Sequence, residues 1–222
     1  MDKNSNYIIG IDEVGRGPIA GPVAVCAFLC APTFFPIKEI ELPMRDSKKL
    51  TKIQREKWFE YLKEEKKKGN CDFVVSYVSA EMIDKFGIVK AIQKALNTSL
   101  EKLAYVNFRA LPSLRGLRHA ENFQNPISPE EVSVFLDGGL KAPVEYTNQQ
   151  TIIKGDELHP VISCASIVAK VSRDKIMATH GKEYPEYGFE NHSGYGTKAH
   201  YEAIKKHGAT PQHRKTFLKG IL

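Results

Sequence analysis

The stretch of sequence that decides the fold is residues 7–18, which read Tyr7-Ile-Ile-Gly-Ile-Asp12-Glu13-Val-Gly15-Arg16-Gly17-Pro18. An apolar, β-branched run of this kind predicts a buried strand. The run stops at two adjacent carboxylates, which are costly to bury unless solvent or a cation meets them. Since neighbouring strand residues point to opposite faces, both acids can serve one site only if the strand ends there. Gly15 and Gly17 provide the backbone freedom for such an ending.

Length and composition are those of one globular domain. The chain has 222 residues, enough to bury a full core, and 42% of them are hydrophobic. It carries 32 basic and 26 acidic residues, and the formal net charge of +6 moderately favours a polyanionic partner. A basic protein without a nucleic-acid partner is the alternative that charge alone leaves open.

Cysteine usage and the apolar runs predict a soluble, cytoplasmic chain. The four cysteines form no C-x-x-C pair and lie in apolar contexts, so buried reduced thiols are expected rather than disulfides or a zinc site: Cys26, Cys30, Cys71 and Cys164. The first six residues lack the basic-then-apolar order of a signal peptide. The longest uncharged run, residues 22–37, is shorter than the roughly 20 apolar residues of a spanning helix.

Periodicity and capping signals predict a mixed α/β fold with helices on both faces of a sheet. Thr51 and Gln54 have capping-box spacing for a helix that ends near Lys68, with Gly69 as its stop. The predicted strands are 6–12, 22–31, 72–78, 132–137 and 150–156. The predicted helices are 51–68, 79–86, 88–103, 161–180 and 197–208, and small residues in the fourth predict close packing on the sheet. We expect one domain over 1–222, with a core over about 6–181 and a C-terminal helical extension over about 182–222.

Three predicted strand ends carry the acidic residues Asp12, Glu13, Asp137 and Asp156. Because functional groups collect at strand ends in parallel or mixed α/β sheets, these four are expected to converge. Four like charges would repel one another unless cations neutralised them, and Mg²⁺ and Mn²⁺ prefer such oxygen ligands. Two divalent cations roughly 3.5–4 Å apart would suit an in-line displacement at a phosphodiester. Taken singly, each acid also fits a plain turn, since Asp-Gly is a common turn pair.

Four basic residues are candidates for contact with phosphate: Arg16, Lys48, Lys170 and Arg173. Each has a simpler alternative. Arg16 suits a surface turn paired with a nearby acid, and Lys48 suits a solvated helix entrance. Lys170 and Arg173, which share one helix face, could instead pair with Asp174 and Glu157.

An aromatic residue and a basic tail complete the candidates. Tyr195 stands between Gly194 and Gly196, which argues against deep burial and favours a ring that stacks on a sugar or base. Core packing is the usual alternative for a tyrosine. The run His213-Arg214-Lys215 could add charge, but a cap or a solvated tail fits it better. The seven histidines show no metal-binding spacing, so a histidine-centred site is not expected.

Six stretches of the sequence resemble the type 2 ribonucleases H, and among them bacterial ribonuclease HII. The likeness covers nearly the whole chain and rests on Gly10-Ile-Asp12-Glu13-Val-Gly-Arg16-Gly-Pro-Ile-Ala-Gly-Pro-Val23, Asp46-Ser-Lys-Lys-Leu50, Phe135-Leu-Asp137-Gly138, Lys154-Gly-Asp156, Ser163-Cys-Ala-Ser-Ile-Val-Ala-Lys-Val-Ser-Arg-Asp174 and Asn191-His-Ser-Gly-Tyr195-Gly-Thr197. It implies a ribonuclease H-like mixed five-stranded sheet with a C-terminal helical extension. It also implies two-metal cleavage of RNA in RNA–DNA hybrids, and incision 5′ to single ribonucleotides in duplex DNA, leaving 3′-hydroxyl and 5′-phosphate ends.

The resemblance also implies roles for individual residues. The four carboxylates take the family's metal-binding places, and a second set takes the places that sense the ribose 2′-hydroxyl at the RNA–DNA junction: Gly15, Arg16, Gly17 and Tyr195. Two departures from the family pattern stand out. Gly139 follows Asp137-Gly138 where the family commonly has asparagine, and segment 104–130 looks longer than a bacterial member needs.

Three alternatives accompany this reading. A ribonuclease HIII usually carries Gly-Lys-Gly and an extra N-terminal domain, whereas this chain has Arg16 and about six residues before its first strand. A non-catalytic nucleic-acid binder would have lost a carboxylate, yet all four are present. A metal-independent hydrolase with two carboxylates, as in glycosidases, fits four clustered acids poorly. We expect an enzyme that acts as a monomer on nucleic acid and not on membranes.

Overall fold

The computed structural model describes residues 7–34, 50–104 and 127–220. Within these ranges the strands are β1 (Tyr7–Val14), β2 (Val23–Cys30), β3 (Cys71–Val78), β4 (Val132–Asp137) and β5 (Gln149–Ile152). The α-helices are α1 (Lys52–Lys68), α2 (Ala80–Phe86), α3 (Ile88–Ala104), α4 (Gly155–Leu158), α5 (Pro160–Glu183), α6 (Phe189–His192) and α7 (Lys198–His207). Lys48 and most of segment 104–130 lie outside the described residues.

One mixed sheet holds the strands in the order β3-β2-β1-β4-β5. β1 runs antiparallel to β2 and parallel to β4, and β4 runs parallel to β5. The carboxyl ends of β1 and β4 therefore lie at the same edge of the sheet, and this edge carries Asp12 and Asp137. The predicted fold class, a five-stranded mixed sheet with helices on both faces, is confirmed.

β1 continues past its acids, which corrects the expectation that it ends at Asp12. Its ladder with β2 runs on to Val14, which pairs with Ala24. Its ladder with β4 stops at Ile11, opposite Leu136. The two ladders thus end at different points, and in the described sheet only β2 pairs with the acidic end of β1.

Helices cover both faces of the sheet, and α5 approaches β1 closely. The alternation of β1 places Ile9 and Ile11 in the core with α3, while Ile8 lies in the core with α1 and α5. A Cβ atom at Gly10 would collide with the main-chain carbonyl of Val161, so α5 begins directly against β1. The predicted close packing of this helix is confirmed, because its small residues are buried: Ser163, Ala165, Ser166 and Ala169.

The fifth strand is shorter than predicted. β5 ends at Ile152, and Asp156 lies in the first turn of α4 rather than at a strand end. The cause is local: Lys154 adopts a left-handed conformation, with φ 56°, which ends the extended backbone and starts the helix. By contrast, α1 follows its prediction closely, because the Thr51–Gln54 capping box and the left-handed Gly69 are both present.

The C-terminal part of the chain packs on the turn between β1 and β2. Its apolar residues form a separate cluster with Ile19 and Ala20 of that turn and with Met177 of α5; they include Tyr187, Phe189, Ile204 and Leu218. The four cysteines are buried and free, as predicted. In the described ranges, no helix has the length and apolar character needed to cross a membrane.

Candidate active site

Three of the four predicted carboxylates come together at the edge of the sheet. Asp12, Glu13 and Asp137 each offer an oxygen atom, and these oxygens lie within 4.8 Å of one another. Asp12 accepts a hydrogen bond from the Glu13 amide at 2.7 Å, which turns the Asp12 carboxylate along the chain toward its neighbour. The parallel pairing of β1 with β4 supplies Asp137 from the adjacent strand. The sheet therefore gathers the acids that the strand pattern predicted.

Asp156 reaches the same region from α4. It is buried, and the preceding residue, Gly155, donates its main-chain N–H to Oδ1 of Asp137 at 2.7 Å. A Cβ at Gly155 would meet the Ile162 side chain, so the small residue permits this approach. Asp156 is not within the group of three, although its charge acts on Asp12. The predicted convergence thus stands for three acids, with the fourth beside them.

The electrostatics of the group are unfavourable while it holds only protein charges. Burial raises the pKa of Asp12 well above its ordinary value, the negative charges of its neighbouring acids raise that pKa further, and a hydrogen bond from Ser166 of α5 opposes both. The pKa of Glu13 is also raised, first by burial and then by Asp137, while Arg16 lowers it. Folding has therefore collected charges that repel one another in a poorly solvated place.

The donor set fits divalent cations. All its ligand atoms are carboxylate oxygens, which Mg²⁺ and Mn²⁺ prefer. Oε2 of Glu13 is buried and finds no hydrogen-bond partner among the residues that the structure describes. A buried polar oxygen without a partner is costly, and a bound cation would remove that cost. Asp12, Glu13 and Asp137 are thus the residues that could hold a metal, with Asp156 beside them.

The glycine turn and Tyr195 meet next to the acids. Arg16 is largely exposed, with 60% of its side chain accessible, and its guanidinium lies 3.7 Å from a carboxylate oxygen of Glu13. A Cβ atom at Gly17 would lie 3.7 Å from the ring of Tyr195. Tyr195 is 48% exposed, so the prediction that its flanking glycines keep it out of the core is confirmed. An exposed guanidinium, an exposed ring and a glycine backbone therefore share one surface beside the carboxylates.

Two of the predicted phosphate contacts have other partners. Lys170 pairs with Asp174 at 2.7 Å, which is the alternative that the sequence offered. Arg173 is fully buried and donates to three main-chain carbonyls: those of Pro22 at 2.8 Å, Ser193 at 2.9 Å and Ala20 at 3.2 Å. The interior therefore takes up the Arg173 guanidinium, which faces main-chain carbonyls here rather than the surface from which a phosphate would approach. Lys48 lies outside the described residues.

Sequence reasoning missed that the tail residues His213 and Arg214 pack against the segment between β1 and β2. Neither a cap nor a solvated tail describes them, since both are buried. Arg214 donates to the carbonyls of Gly15 at 2.7 Å, Arg16 at 3.1 Å and Gly21 at 3.0 Å. Its partners lie almost the whole chain away in sequence, so no local pattern could have predicted them.

Known proteins match this chain along its length. A model of the ribonuclease HII family matches residues 9–219. A ribonuclease HII of Clostridioides difficile (strain 630) is 40% identical over 221 residues, which cover 100% of this chain and 73% of the relative. The ribonuclease H2 from Pyrococcus horikoshii OT3 superposes with a TM-score of 0.64 at 25% identity, covering 97% of this chain and 96% of the other.

A second solved structure shows the likeness in fold alone. Bst-RNase HIII in complex with Mn²⁺ superposes with a TM-score of 0.61 at 16% identity, covering 97% of this chain and 66% of the other. The family match and the C. difficile relative, by contrast, follow the sequence from one end of the described fold to the other. The chain therefore belongs to the ribonuclease HII family and is a nuclease of the hydrolase class.

Proposed function

We propose that the protein cleaves the RNA strand of RNA–DNA hybrids and incises duplex DNA 5′ to a single embedded ribonucleotide. The observation that carries this proposal is the contact between two features. Glu13 of the acidic group pairs with Arg16, and Arg16 belongs to the turn whose Gly17 lies against Tyr195. A centre suited to phosphodiester hydrolysis therefore adjoins a surface suited to recognising a sugar.

The carboxylates provide the hydrolytic half of the site. Asp12, Glu13, Asp137 and Asp156 would hold the two divalent cations, Mg²⁺ or Mn²⁺. The chemistry that such cations supply when bound is activation of water and stabilisation of the departing 3′-oxygen. The net reaction adds water across the phosphodiester: the bond from phosphorus to the 3′-oxygen breaks, leaving a 3′-hydroxyl and a 5′-phosphate.

The turn and Tyr195 provide the selective half. The 2′-hydroxyl is the group that distinguishes RNA from DNA at a given sugar, and it both donates and accepts hydrogen bonds. The backbone of Gly15–Gly17 can approach a sugar closely because no side chain stands on either glycine. Tyr195 offers a ring face for stacking and a hydroxyl for hydrogen bonding. Arg16 carries the positive charge that a neighbouring phosphate would meet.

The test is cleavage of two labelled substrates, a DNA duplex with one ribonucleotide and a uniform RNA–DNA hybrid. Each is incubated with Mg²⁺, with Mn²⁺ and with chelator, using wild type, Asp137→Asn and Tyr195→Phe. We expect metal-dependent incision on the 5′ side of the ribonucleotide. Asp137→Asn should lose at least about a hundredfold in activity while still binding duplex, because even residues outside a metal's ligand shell are worth 10–100-fold. Tyr195→Phe should lower activity on the embedded ribonucleotide more than on the hybrid.

Each part of the proposal has its own contrary result. Wild-type activity in Asp137→Asn would remove that carboxylate from the centre. Cleavage that survives chelator would favour two carboxylates acting as acid and base. If only the hybrid were cut, the ribonuclease would stand and the sensing of a single 2′-hydroxyl would fall. Binding of both substrates without cleavage would favour a non-catalytic binder.

A further inference from the structure

We propose that the buried pair His213-Arg214 positions both halves of the 2′-hydroxyl reader, the Gly15–Gly17 turn and the Tyr195 loop. The inference rests on the proposed function of that reader and assigns it two positioning residues from the far end of the chain. Neither residue touches substrate. Arg214 sets the direction of the turn's main-chain groups, and His213 holds the main chain at Tyr195.

Arg214 acts through the carbonyls of the turn. Two of its guanidinium nitrogens donate to the oxygens of Gly15 and Arg16, at 2.7 and 3.1 Å. In a planar trans peptide the N–H points opposite to the C=O. The amides that follow these carbonyls, those of Arg16 and Gly17, therefore point away from the buried guanidinium. Both residues are exposed, so Arg214 turns their N–H groups toward the side from which a nucleic acid would approach.

The third hydrogen bond of Arg214 locks the frame of the turn. Its Nε donates to the Gly21 carbonyl at 3.0 Å, and its own amide donates to the Ile19 carbonyl at 2.8 Å. Gly21 in return donates to the Gln212 carbonyl at 2.7 Å. Charge-assisted bonds in a fork geometry restrict both distance and orientation, which a flexible lysine ammonium does not do.

His213 acts through a relay of neutral imidazoles. The Thr210 amide donates to Nδ1 of His213 at 2.9 Å, so the proton of this ring sits on Nε2. That nitrogen lies 3.0 Å from Nε2 of His200, which must then accept and leave its own proton on Nδ1. Nδ1 of His200 lies 2.8 Å from the carbonyl of Tyr195 and donates to it. The main chain of Tyr195 is thereby tied to residue 210.

The hydrogen bonds to the Gly15–Gly17 turn and the relay to the Tyr195 loop start from the adjacent residues Arg214 and His213. The pair can therefore set the position of the turn relative to the loop. Ala20 forms a β-bridge with His213, and Ile19 and Ala20 donate to the Gly194 carbonyl at 2.9 and 3.2 Å. Residues 19–20 therefore lie between the Gly15–Gly17 turn and the Tyr195 loop, and they contact both this loop and His213. A displacement of this segment would move Gly17 relative to the Tyr195 ring, although neither belongs to it.

The experiment compares kcat/KM on a duplex with one ribonucleotide against kcat/KM on a uniform hybrid, in wild type and Arg214→Lys. A hybrid presents a 2′-hydroxyl in every register, so a displaced reader still finds one, whereas the single-ribonucleotide duplex offers one register only. We expect this ratio to fall by about tenfold or more, the equivalent of a charge-assisted hydrogen bond. Activity on the hybrid should stay within about threefold of wild type.

Phe217→Leu is the matched control. The centroid of the Phe217 ring lies 5.3 Å from the Arg214 guanidinium, so this change loosens the packing around Arg214. It removes no hydrogen bond to the Gly15–Gly17 turn. Its ratio should equal that of wild type. An unchanged ratio in Arg214→Lys would overturn the proposal, whether activity falls equally on both substrates or stays at the wild-type level on both. Either result describes a residue that serves folding alone.

A second variant decides the matter if Arg214→Lys does not fold. In His213→Asn the shorter side chain can still accept from the Thr210 amide but cannot reach His200, so the ratio should again fall, and an unchanged ratio would overturn the proposal. Failure of the proposed function looks different, since wild type itself would then leave the embedded ribonucleotide uncut.

Discussion

The acidic group and the reader turn lie side by side, yet folding treats their polar groups in opposite ways. Asp12 faces charges of like sign, and Glu13 faces Asp137 as well as the opposite charge of Arg16. The pKa values of both acids are raised, and one buried oxygen of Glu13 is left without a partner in the described structure. Around the turn, Arg173 and Arg214 each satisfy three carbonyls. The acidic group thus leaves a buried oxygen unsatisfied, whereas hydrogen bonds within the protein satisfy the carbonyls of the turn.

This difference follows from what each region must do. Under the proposed function, a centre that binds cations has to keep some oxygen atoms available, as Oε2 of Glu13 is, and it is destabilising until the cations arrive. The proposed reader has to hold donors in fixed directions, and the buried Arg214 stabilises its backbone through hydrogen bonds to the turn's carbonyls. The contact between Glu13 and Arg16 thus joins a poorly satisfied acidic group to a turn that is held by internal hydrogen bonds.

The largest expected effect concerns the two glycines of the turn. Gly15 has a φ of 91°, and a Cβ there would collide with the Arg173 side chain. Gly15→Ala should therefore lower the free energy of unfolding by about 2–4 kcal/mol, through backbone strain and overpacking. At Gly17 a Cβ makes only an ordinary contact with the Tyr195 ring, so Gly17→Ala should cost less than about 1 kcal/mol. Denaturant unfolding measures both, and equal costs would show that the turn is not held from the Arg173 side.

An effect of intermediate size is expected on the free energy of unfolding when the pH falls and His213 becomes protonated. Burial, and then the neighbouring His200, lower the pKa of His213 from 6.5 to about 4. Between these values the unfolded chain binds a proton that the folded protein does not, so stability is full above pH 6.5 and is lost as the pH falls toward 4. The loss attributable to His213 should be about 2–3 kcal/mol.

Comparison with His213→Asn isolates this contribution from those of other groups. Asp12 and Glu13 have raised pKa values, so these two carboxylates act in the opposite direction over part of the same range. The difference in unfolding free energy between wild type and the variant should therefore narrow as the pH falls from 6.5 to 4. A constant difference would mean that the His213 imidazole is not held neutral.

The smallest effect is a gain of stability at the acidic group. Asp12→Asn removes one buried charge while its oxygen can still accept from the Glu13 amide. In metal-free buffer the free energy of unfolding should rise by about 1–2 kcal/mol, because repulsion and desolvation both decrease. Added Mg²⁺ should stabilise wild type more than this variant.

Asp72→Asn is the matched control for that gain. Asp72 is also a buried acid whose oxygen accepts a main-chain amide, but it pairs with Lys66 instead of facing other carboxylates. The same substitution there should lower stability in the presence or absence of metal. If both variants lost stability in metal-free buffer, the acidic group would not be a strained centre.

Predictions from sequence succeeded where the deciding interactions are local. The Thr51 capping box, the Gly69 stop and the buried apolar run of β1 all act within a few residues, and the structure confirms them. The fifth strand was predicted too long because the left-handed Lys154 has no signature in composition. The acids at residues 12, 13 and 137 were predicted together because strand order in a mixed sheet brings such ends to one edge.

The arginines show where sequence reasoning stops. Arg16 and Arg173 are chemically the same residue, and both were candidates for phosphate contact. One is exposed beside Glu13 and the other is fully buried against carbonyls from two distant segments. Nothing within a few residues of either position separates these outcomes, because two of the three carbonyl partners of Arg173 come from a turn about 150 residues away.

The sequence by itself determined most of the strands and helices, the convergence of Asp12, Glu13 and Asp137, and the family, since these depend largely on residue type and short-range spacing. Only the tertiary structure decided which charges face solvent and which support the backbone from within. It moved Asp156 from a strand end to a helix, and it placed His213 and Arg214 behind the turn at Gly15–Gly17. The physical reason is that a charge is stabilised by whatever surrounds it in space, and for these residues those surroundings come from remote parts of the chain.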